Sequence, residues 1–473
     1  MSGHHAIVIG SGPNGLAAAI RLAQAGRSVR VLERDKVIGG SLQSAELTLP
    51  GFLHDRCSAI HVLAAGSPFL RSLRLGEDGL RYIYSPGAFA HPLDDGTAMV
   101  CERSVEATAE LLGADAAAYR GLVGPLVRDW GELLPMILSP FQWPAHPLTL
   151  ARFGVLGVQR AAGFARRHFQ RARAQAFFAG AAAHAILPLE TPGTTAFGLL
   201  MLASGHAAGW PLAEGGSQRL ADALAAHLRK LGGEIQTQAE VRTLEGLAAE
   251  MILADVSPRQ LMAIAGDELP AGYLKKLRRF RQGAGVFKVD WALSAPIPWR
   301  AEGCHRAATV HIGGTLEEIA AAEAACWNGG HAERPFVLLT QPTVFDGSRA
   351  PAGRHIAWAY CHVPNGSTRD MTDAIERQIE RFAPGFREVV LARHTMNTQA
   401  MESHNPNLTG GDISGGAQTL GQTLFRPRLL PSPYSTPRKG LYLCSASTPP
   451  GPGTHGMCGF NAAHAALARA RSK

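Results

Sequence analysis

The chain predicts an α/β fold of two or three lobes that opens on a parallel sheet. Three observations carry this. The segment from Ala6 to Glu33 runs strand, glycine turn, helix, strand. The length of 473 residues exceeds what one core holds. The same strand and helix grammar returns near residues 213–241 and again at the C-terminus.

The opening elements follow in order. Ala6-Ile7-Val8-Ile9 is a short apolar run that reads as a buried parallel strand. Gly10-Ser11-Gly12-Pro13-Asn14-Gly15 comes at once, then Leu16 to Ala23 as a helix and Ser28 to Leu32 as a second strand ending at Glu33. This is G-x-G-x-x-G in the context that makes it a dinucleotide fingerprint. Gly10 permits the tight turn, Gly12 lets backbone approach a pyrophosphate, and Gly15 lets the helix pack on the strand. The helix N-terminus offers free N–H groups and positive partial charge to phosphate. Glu33, about twenty residues on, suits a ribose diol. A secretory leader is the alternative for an Ala-rich start, but no basic region precedes it, and Arg21 and Gln24 interrupt it.

Lys36-Val37-Ile38-Gly39-Gly40-Ser41 adds a glycine pair just past the acid. Residues 213–241 then read as a Gly-Gly turn, a helix and a strand from Ile235 to Val241. Leu220, Leu224 and Leu228 give that helix one apolar face, and Gly232-Gly233 stops it. Near the end, Gly440 to Cys444 is a strand, followed by a Gly- and Pro-rich turn and an Ala-rich helix from about Asn461. Gly451, Gly453 and Gly456 repeat the fingerprint letters, but only seventeen residues follow Gly456, too few for a second dinucleotide unit.

Composition bounds the rest. The hydrophobic fraction is 46% and the charged fraction 18%, which describes a folded chain. No apolar run reaches the about eighteen residues of a spanning helix. Seven scattered Cys without C-x-x-C argue against a disulfide framework or zinc site and for a reducing, cytoplasmic setting. The net charge of +8 comes without a nucleic-acid motif, so no nucleic-acid partner is expected. One stretch, LARFGVLGVQRAAGFARRHFQRAR at 150–173, mixes Arg with apolar residues. It reads as a solvated helical face or as a basic amphipathic surface for peripheral contact with anionic membrane.

The fingerprint plus Gly39-Gly40 resembles the FAD-binding start of the flavoprotein superfamily of amine oxidases, protoporphyrinogen oxidase and phytoene desaturases. HDRCSAIH at 54–61, AHPLDDG at 90–96, VFKVDWAL at 286–293, RFAPGF at 381–386 and NPNLTGGDISGGA at 405–417 extend the likeness to the phytoene desaturase-like branch. Ser445, where the wider family has Gly, and the short span from Val241 to Met251 depart from it.

The resemblance implies a Rossmann-like FAD-binding domain of the glutathione-reductase type, a mixed-sheet substrate domain and a helical cap. Residues 1–100, 211–260 and 425–473 would build the FAD lobe, 104–205 the cap and 262–424 the substrate lobe. The implied cofactor residues are Gly10, Gly12, Pro13, Asn14, Gly15, Glu33, Arg34, Gly39, Gly40, Ser41, Val241, Ser447, His455, Gly456, Met457 and Cys458. His54 and Asp55 would pack the flavin. Catalytic residues are unassigned; His455, Cys458 and Tyr360 are candidates, with His311 and His362 on substrate-lobe strands. No metal is expected. The implied activity is hydride transfer between an apolar or amphiphilic substrate and flavin N5, with a quinone or O2 as reoxidant. A redox-neutral isomerase, an amine oxidase and a flavin-stabilised binding protein are the alternatives. Amine oxidases carry an aromatic cage and a lysine near the flavin, and the sequence shows neither plainly. The oligomeric state is unassigned.

Overall fold

The computed structural model describes residues 4–427 and 432–471; the outer ends of two predicted FAD segments and residues 428–431 lie outside them. Five parallel strands form the first sheet, in the order Leu441–Leu443, Met251–Ala254, Ala6–Ile9, Val29–Leu32, Glu234–Gln236. Three distant stretches of chain therefore meet in one sheet. Both faces are covered, as a parallel sheet requires. Ala6, Val8 and Val31 point into one cluster with Leu16, Leu220 and Leu224. Ile7, Ile9 and Ile252 point into the other with Leu261, Tyr273 and Leu277. The first helix, Pro13–Gln24, packs against both Gln218–Lys230 and the C-terminal helix Met457–Arg471.

Several boundaries differ from the sequence reading. The strand expected over Ile235 to Val241 ends at Gln236. Gln238 takes a positive φ of 56°, and the amides of Gln238 and Ala239 donate to the carbonyls of Asp35 and Glu33. The last helix begins at Met457, four residues before Asn461, because His455 Nδ1 accepts the Met457 N–H at 3.0 Å. Helices Pro258–Ala265 and Ala271–Arg278, counted with the substrate segment beyond 262, cover the second face of the parallel sheet.

The second sheet has seven strands, in the order Val390–Met396, Gly285–Leu293, His355–Val363, Val337–Thr340, Ala307–Ile312, Gly87–Pro92, Ala98–Glu102. All pairings are antiparallel except Ala307–Ile312 with Gly87–Pro92. Gly87–Pro92 and the start of Ala98–Glu102, read as part of an FAD segment ending at residue 100, thus belong to this sheet. Helices from Val105–Leu112 to Thr194–Ala207 form a layer against it. Phe89 stacks on Phe177 at 5.1 Å, and Gly205 admits Cys101 and Ala88 where a Cβ would meet them at 2.7 and 3.1 Å. Phe164 and Phe169, in the Arg-rich stretch, point into this core.

One fully buried ion pair joins the lobes. Arg349 Nη2 lies 2.7 Å from Asp55 Oδ2, and the guanidinium also donates to Leu53 O. Asp55 further accepts from Ser217 N at 2.8 Å and Ser44 Oγ at 2.7 Å. Burial alone would raise the Asp55 carboxyl; the guanidinium and these donors outweigh it and hold it below the usual range. His54 and Asp55 therefore serve the junction of the lobes, and neither lines the cofactor cavity. Arg349→Met is expected to cost about 3–5 kcal/mol by leaving a buried charge unpaired. Arg349→Met with Asp55→Asn should recover part of that loss, as measured by denaturant unfolding. A single variant as stable as the parent would remove the pair from the account.

Candidate functional site

A cavity of about 700 Å³ runs from the glycine turn of the parallel sheet to the face of the seven-stranded sheet. Cofactor and ligand pockets span about 300–1,000 Å³. Gly10, Gly12, Pro13, Asn14, Glu33, Arg34, Gly40, Ser41, Val241 and Ser447 all line it, gathered from five separate stretches of sequence.

The geometry at this end suits an anionic dinucleotide. The backbone at Gly12 is bare toward the cavity, and a Cβ there would stand 2.9 Å from Asp255 Oδ2. Gly40 approaches so closely that its Cβ would be 3.4 Å from Gly12 Cα. Glu33 is fixed before any ligand arrives. Its carboxylate accepts from Ser11 N at 2.8 Å, Ser11 Oγ at 2.5 Å and Asp35 N at 2.9 Å. A carboxylate has about four lone-pair sites, so capacity for a ribose hydroxyl remains. Asn14 Oδ1 is buried and has no hydrogen-bond partner, a polar atom that a ligand can satisfy. Arg34 is held by Asp35 at 3.1 Å and by His404 O at 2.8 Å.

Six predicted residues do not face the cavity. Gly15 donates its N–H to Asp255 Oδ2 at 2.9 Å, and a Cβ there would lie 2.1 Å from Gly10 O, so its role is packing. Gly39, with φ 109°, presses on Ala221. His455, Gly456, Met457 and Cys458 sit behind the cavity wall. His455 caps the last helix, and burial pushes its imidazole down to about 4. Gly456 meets Ala17 and Phe69. The Cys458 thiol donates to Gly451 O and Thr448 O, and burial pushes it up to about 12. Pro452, Gly453 and Thr454 line the cavity in their place. Gly459 does not face it either: a Cβ there would stand 1.7 Å from Asn14 O, so this glycine seats the last helix on the first.

The sequence reading missed three features. Asp255 lies beneath the glycine turn at the end of strand Met251–Ala254. Burial raises its carboxyl to about 7; the Gly15 N–H opposes this and the Glu33 charge adds to it. The second feature is Lys288, buried on strand Gly285–Leu293 and lining the cavity. Its Nζ pairs with Asp290 and lies 5.1 Å from the Trp358 ring centroid. Trp358 stacks with Tyr360 at 5.7 Å, and both line the cavity. His54 Nδ1 and His394 Nδ1 approach Asp290 at 3.6 and 3.4 Å. The signal was present in VFKVDWAL, where two charges stand two apart on one face of an otherwise apolar strand. A lysine and aromatic rings therefore stand at this site, which corrects the reading that neither was evident. The third is His184, which lines the cavity with its Nε2 2.9 Å from His311 Nε2. Burial holds both imidazoles neutral, His184 at about 3. Of the other candidates, His362 is spent on Glu323 at 2.7 Å and does not line the cavity.

Known proteins agree with this architecture. Residues 8–73 match the family model of an NAD(P)-binding Rossmann-like domain. The chain is 28% identical to the mouse (Mus musculus) pyridine nucleotide-disulfide oxidoreductase domain-containing protein 2, over 98% of this chain and 93% of that protein. It is 27% identical to phytoene dehydrogenase of Streptomyces griseus, over 82% and 78%. A solved putrescine oxidase variant superposes with a TM-score of 0.63 at 16% identity, covering 99% of each chain. The chain is thus similar over most of its length to these oxidoreductases and shares its fold with the solved putrescine oxidase; this likeness is to the flavin oxidoreductase superfamily, and the dinucleotide it implies is FAD.

Proposed function

We propose that the protein is an FAD-dependent dehydrogenase or desaturase that removes hydride from an apolar or amphiphilic substrate. One observation carries the reading: a single cavity joins the dinucleotide fingerprint to an aromatic chamber on the other sheet. Bound flavin supplies a hydride acceptor at N5. The residues of this chain do the rest. Glu33 and the Gly10–Asn14 turn hold the nucleotide half, and Gly40, Ser41 and Ser447 continue toward the middle. Ile60, Val62, Trp210, Leu338, Trp358 and Tyr360 surround the far end, exclude water and favour apolar surface. A quinone or O2 is the proposed reoxidant.

A lysine beside two aromatic rings, Lys288 with Trp358 and Tyr360, raises a second reading, amine oxidation. Anaerobic titration of the holoprotein with isoprenoids, lipids and amines separates the two. Bleaching of the oxidised flavin band by a neutral apolar compound supports the first reading, and bleaching by primary amines alone overturns it. Trp358→Leu should weaken the effective compound about tenfold or more while flavin content stays whole.

Two further outcomes test the nucleotide end. Glu33→Ala removes a charge-assisted acceptor worth about 1.5–3 kcal/mol, so FAD affinity should fall about tenfold or more. Equilibrium dialysis reads this, and unchanged affinity would dismiss the ribose role. Asp255 gives a pH dependence. Its folded value, about 7, lies above the unfolded 3.8, so the folded state holds a proton that the unfolded state has lost. That stability is present at low pH and declines as pH rises from about 4 through about 7. A pyrophosphate nearby adds negative charge and favours the protonated form further. FAD affinity should therefore fall from about pH 6 to about pH 8, and Asp255→Asn should flatten the profile. An Asp255→Asn profile as steep as the parent's would place the titrating group elsewhere.

A further inference from the structure

We propose that the segment Phe141–Val158 is an interfacial anchor that seats the protein on an anionic phospholipid bilayer. Four large apolar side chains stand in solvent here. Trp143 is 90% exposed, Leu148 84%, Phe141 80% and Val155 68%. They sit on a loop and on the helix Pro147–Gly157, whose opposite side packs Leu150, Phe153 and Leu156 against the cap. A second segment extends the patch: the Phe141 ring meets Phe425 at 6.5 Å, and Leu420, Leu424 and Phe425 are also exposed. Single exposed apolar residues are ordinary; a run of aromatic and aliphatic side chains this bare is not. Trp in particular favours the headgroup level of a membrane.

Charge names the occupant. From Ser139 to Arg173 there are six Arg and no Asp or Glu. Arg152 is paired with Asp129 at 2.8 Å and Arg166 with Glu317 at 3.4 Å. Glu132, from the neighbouring helix, faces His146 at 3.3 Å. Arg160, Arg167 and Arg171 are exposed and make no ion pair among the described residues. Arg167 is tied to the patch itself, since its Nη1 donates to Gln159, whose Nε2 donates to Val155 O. Apolar side chains to insert and unpaired Arg beside them match a negatively charged lipid surface. The anchor differs from the amphipathic face that the Arg-rich stretch alone suggests. Phe164 and Phe169 are core residues, and the inserting groups lie upstream. No helix among the described residues is long and apolar enough to cross a membrane, so the attachment proposed is at the surface. The proposal is independent of the dehydrogenase reading.

Sedimentation of the holoprotein with vesicles tests it. Binding is expected to phosphatidylcholine mixed with phosphatidylglycerol, and only weakly to phosphatidylcholine alone. It should weaken with salt, since charge attraction is screened within about 10 Å at 0.1 M. The double variant Phe141→Ser with Trp143→Ser should bind at least about tenfold more weakly, with flavin absorbance unchanged as the control for folding. Arg160→Gln with Arg167→Gln should reduce only the preference for phosphatidylglycerol. Equal binding to both vesicles would overturn the charge argument. So would no vesicle binding together with a self-association that the Phe141 and Trp143 variant abolishes, which would make the patch a contact between copies of this chain.

Discussion

The structure depends on how closely backbone can pass backbone around the turn Gly10–Gly15. A side chain at Gly15 would collide with Gly10 O at 2.1 Å, and one at Gly459 with Asn14 O at 1.7 Å. Neither approach tolerates a methyl group. The first glycine seats the helix Pro13–Gln24 on its strand, and the second seats the C-terminal helix on that helix. The glycines that look alike in the sequence thus divide into two kinds. Gly10, Gly12 and Gly40 line the cavity as well as packing closely, while Gly15, Gly39, Gly456 and Gly459 only pack against other parts of the protein.

Buried charge is the second constraint, and the chain handles it in two ways. Asp55 with Arg349 and Asp290 with Lys288 are neutralised as pairs, each with further partners nearby. Asp255 has no cationic partner among the described residues. It has one backbone donor and the Glu33 charge for company, and it keeps its proton near neutrality. The difference has a physical sense. A cation beside Asp255 would favour an ionised carboxylate next to the glycine turn, where a bound pyrophosphate would make like charge costly; a protonated carboxyl there is neutral. The pairs elsewhere have no such neighbour and can stay ionised, at the expense of desolvation that good geometry offsets.

The sequence disclosed what is local. The strand Ala6–Ile9, the helix behind it and the strand ending before Glu33 follow from apolar runs and glycine positions. The leucines at 220, 224 and 228 point inward as their spacing requires. Much less was legible where the signal is tertiary. Ending the parallel strand at Gln236 depends on amides of a loop finding Asp35 and Glu33. Placing residues 87–102 in the second sheet depends on a pairing with Ala307–Ile312, more than two hundred residues away. The glycines after Cys444 mark close approach, but letters alone do not say to what. Four of the C-terminal residues given to the flavin serve the helix cap and core, and their neighbours Pro452–Thr454 line the cavity. Lys288 and Asp290 were visible as an oddity in an apolar strand and were passed over.

The polarity of the cavity bears on which substrate it favours. Its nucleotide end carries Glu33, Arg34, Asp35, Glu240, Arg242 and Asp255. Among the described residues its far end carries one charged side chain, Lys288, already closed on Asp290 and set against the Trp358 ring. A desolvated cation over an aromatic face gains about 2 kcal/mol or more. Here the protein's own lysine uses the Trp358 face, and Tyr360 stands beside that ring on the same strand rather than across from it. A protonated amine entering this chamber would meet an ammonium already paired with Asp290 and, among the described residues, no unpaired carboxylate at that end. A neutral apolar chain would meet Ile60, Val62, Leu338 and two aromatic rings, and would lose nothing by leaving water. That balance supports the dehydrogenase reading over amine oxidation. Whichever compound enters, it meets Trp358 backed by the closed Lys288–Asp290 pair, whose ammonium lies 5.1 Å from the ring centroid and is not free for a substrate.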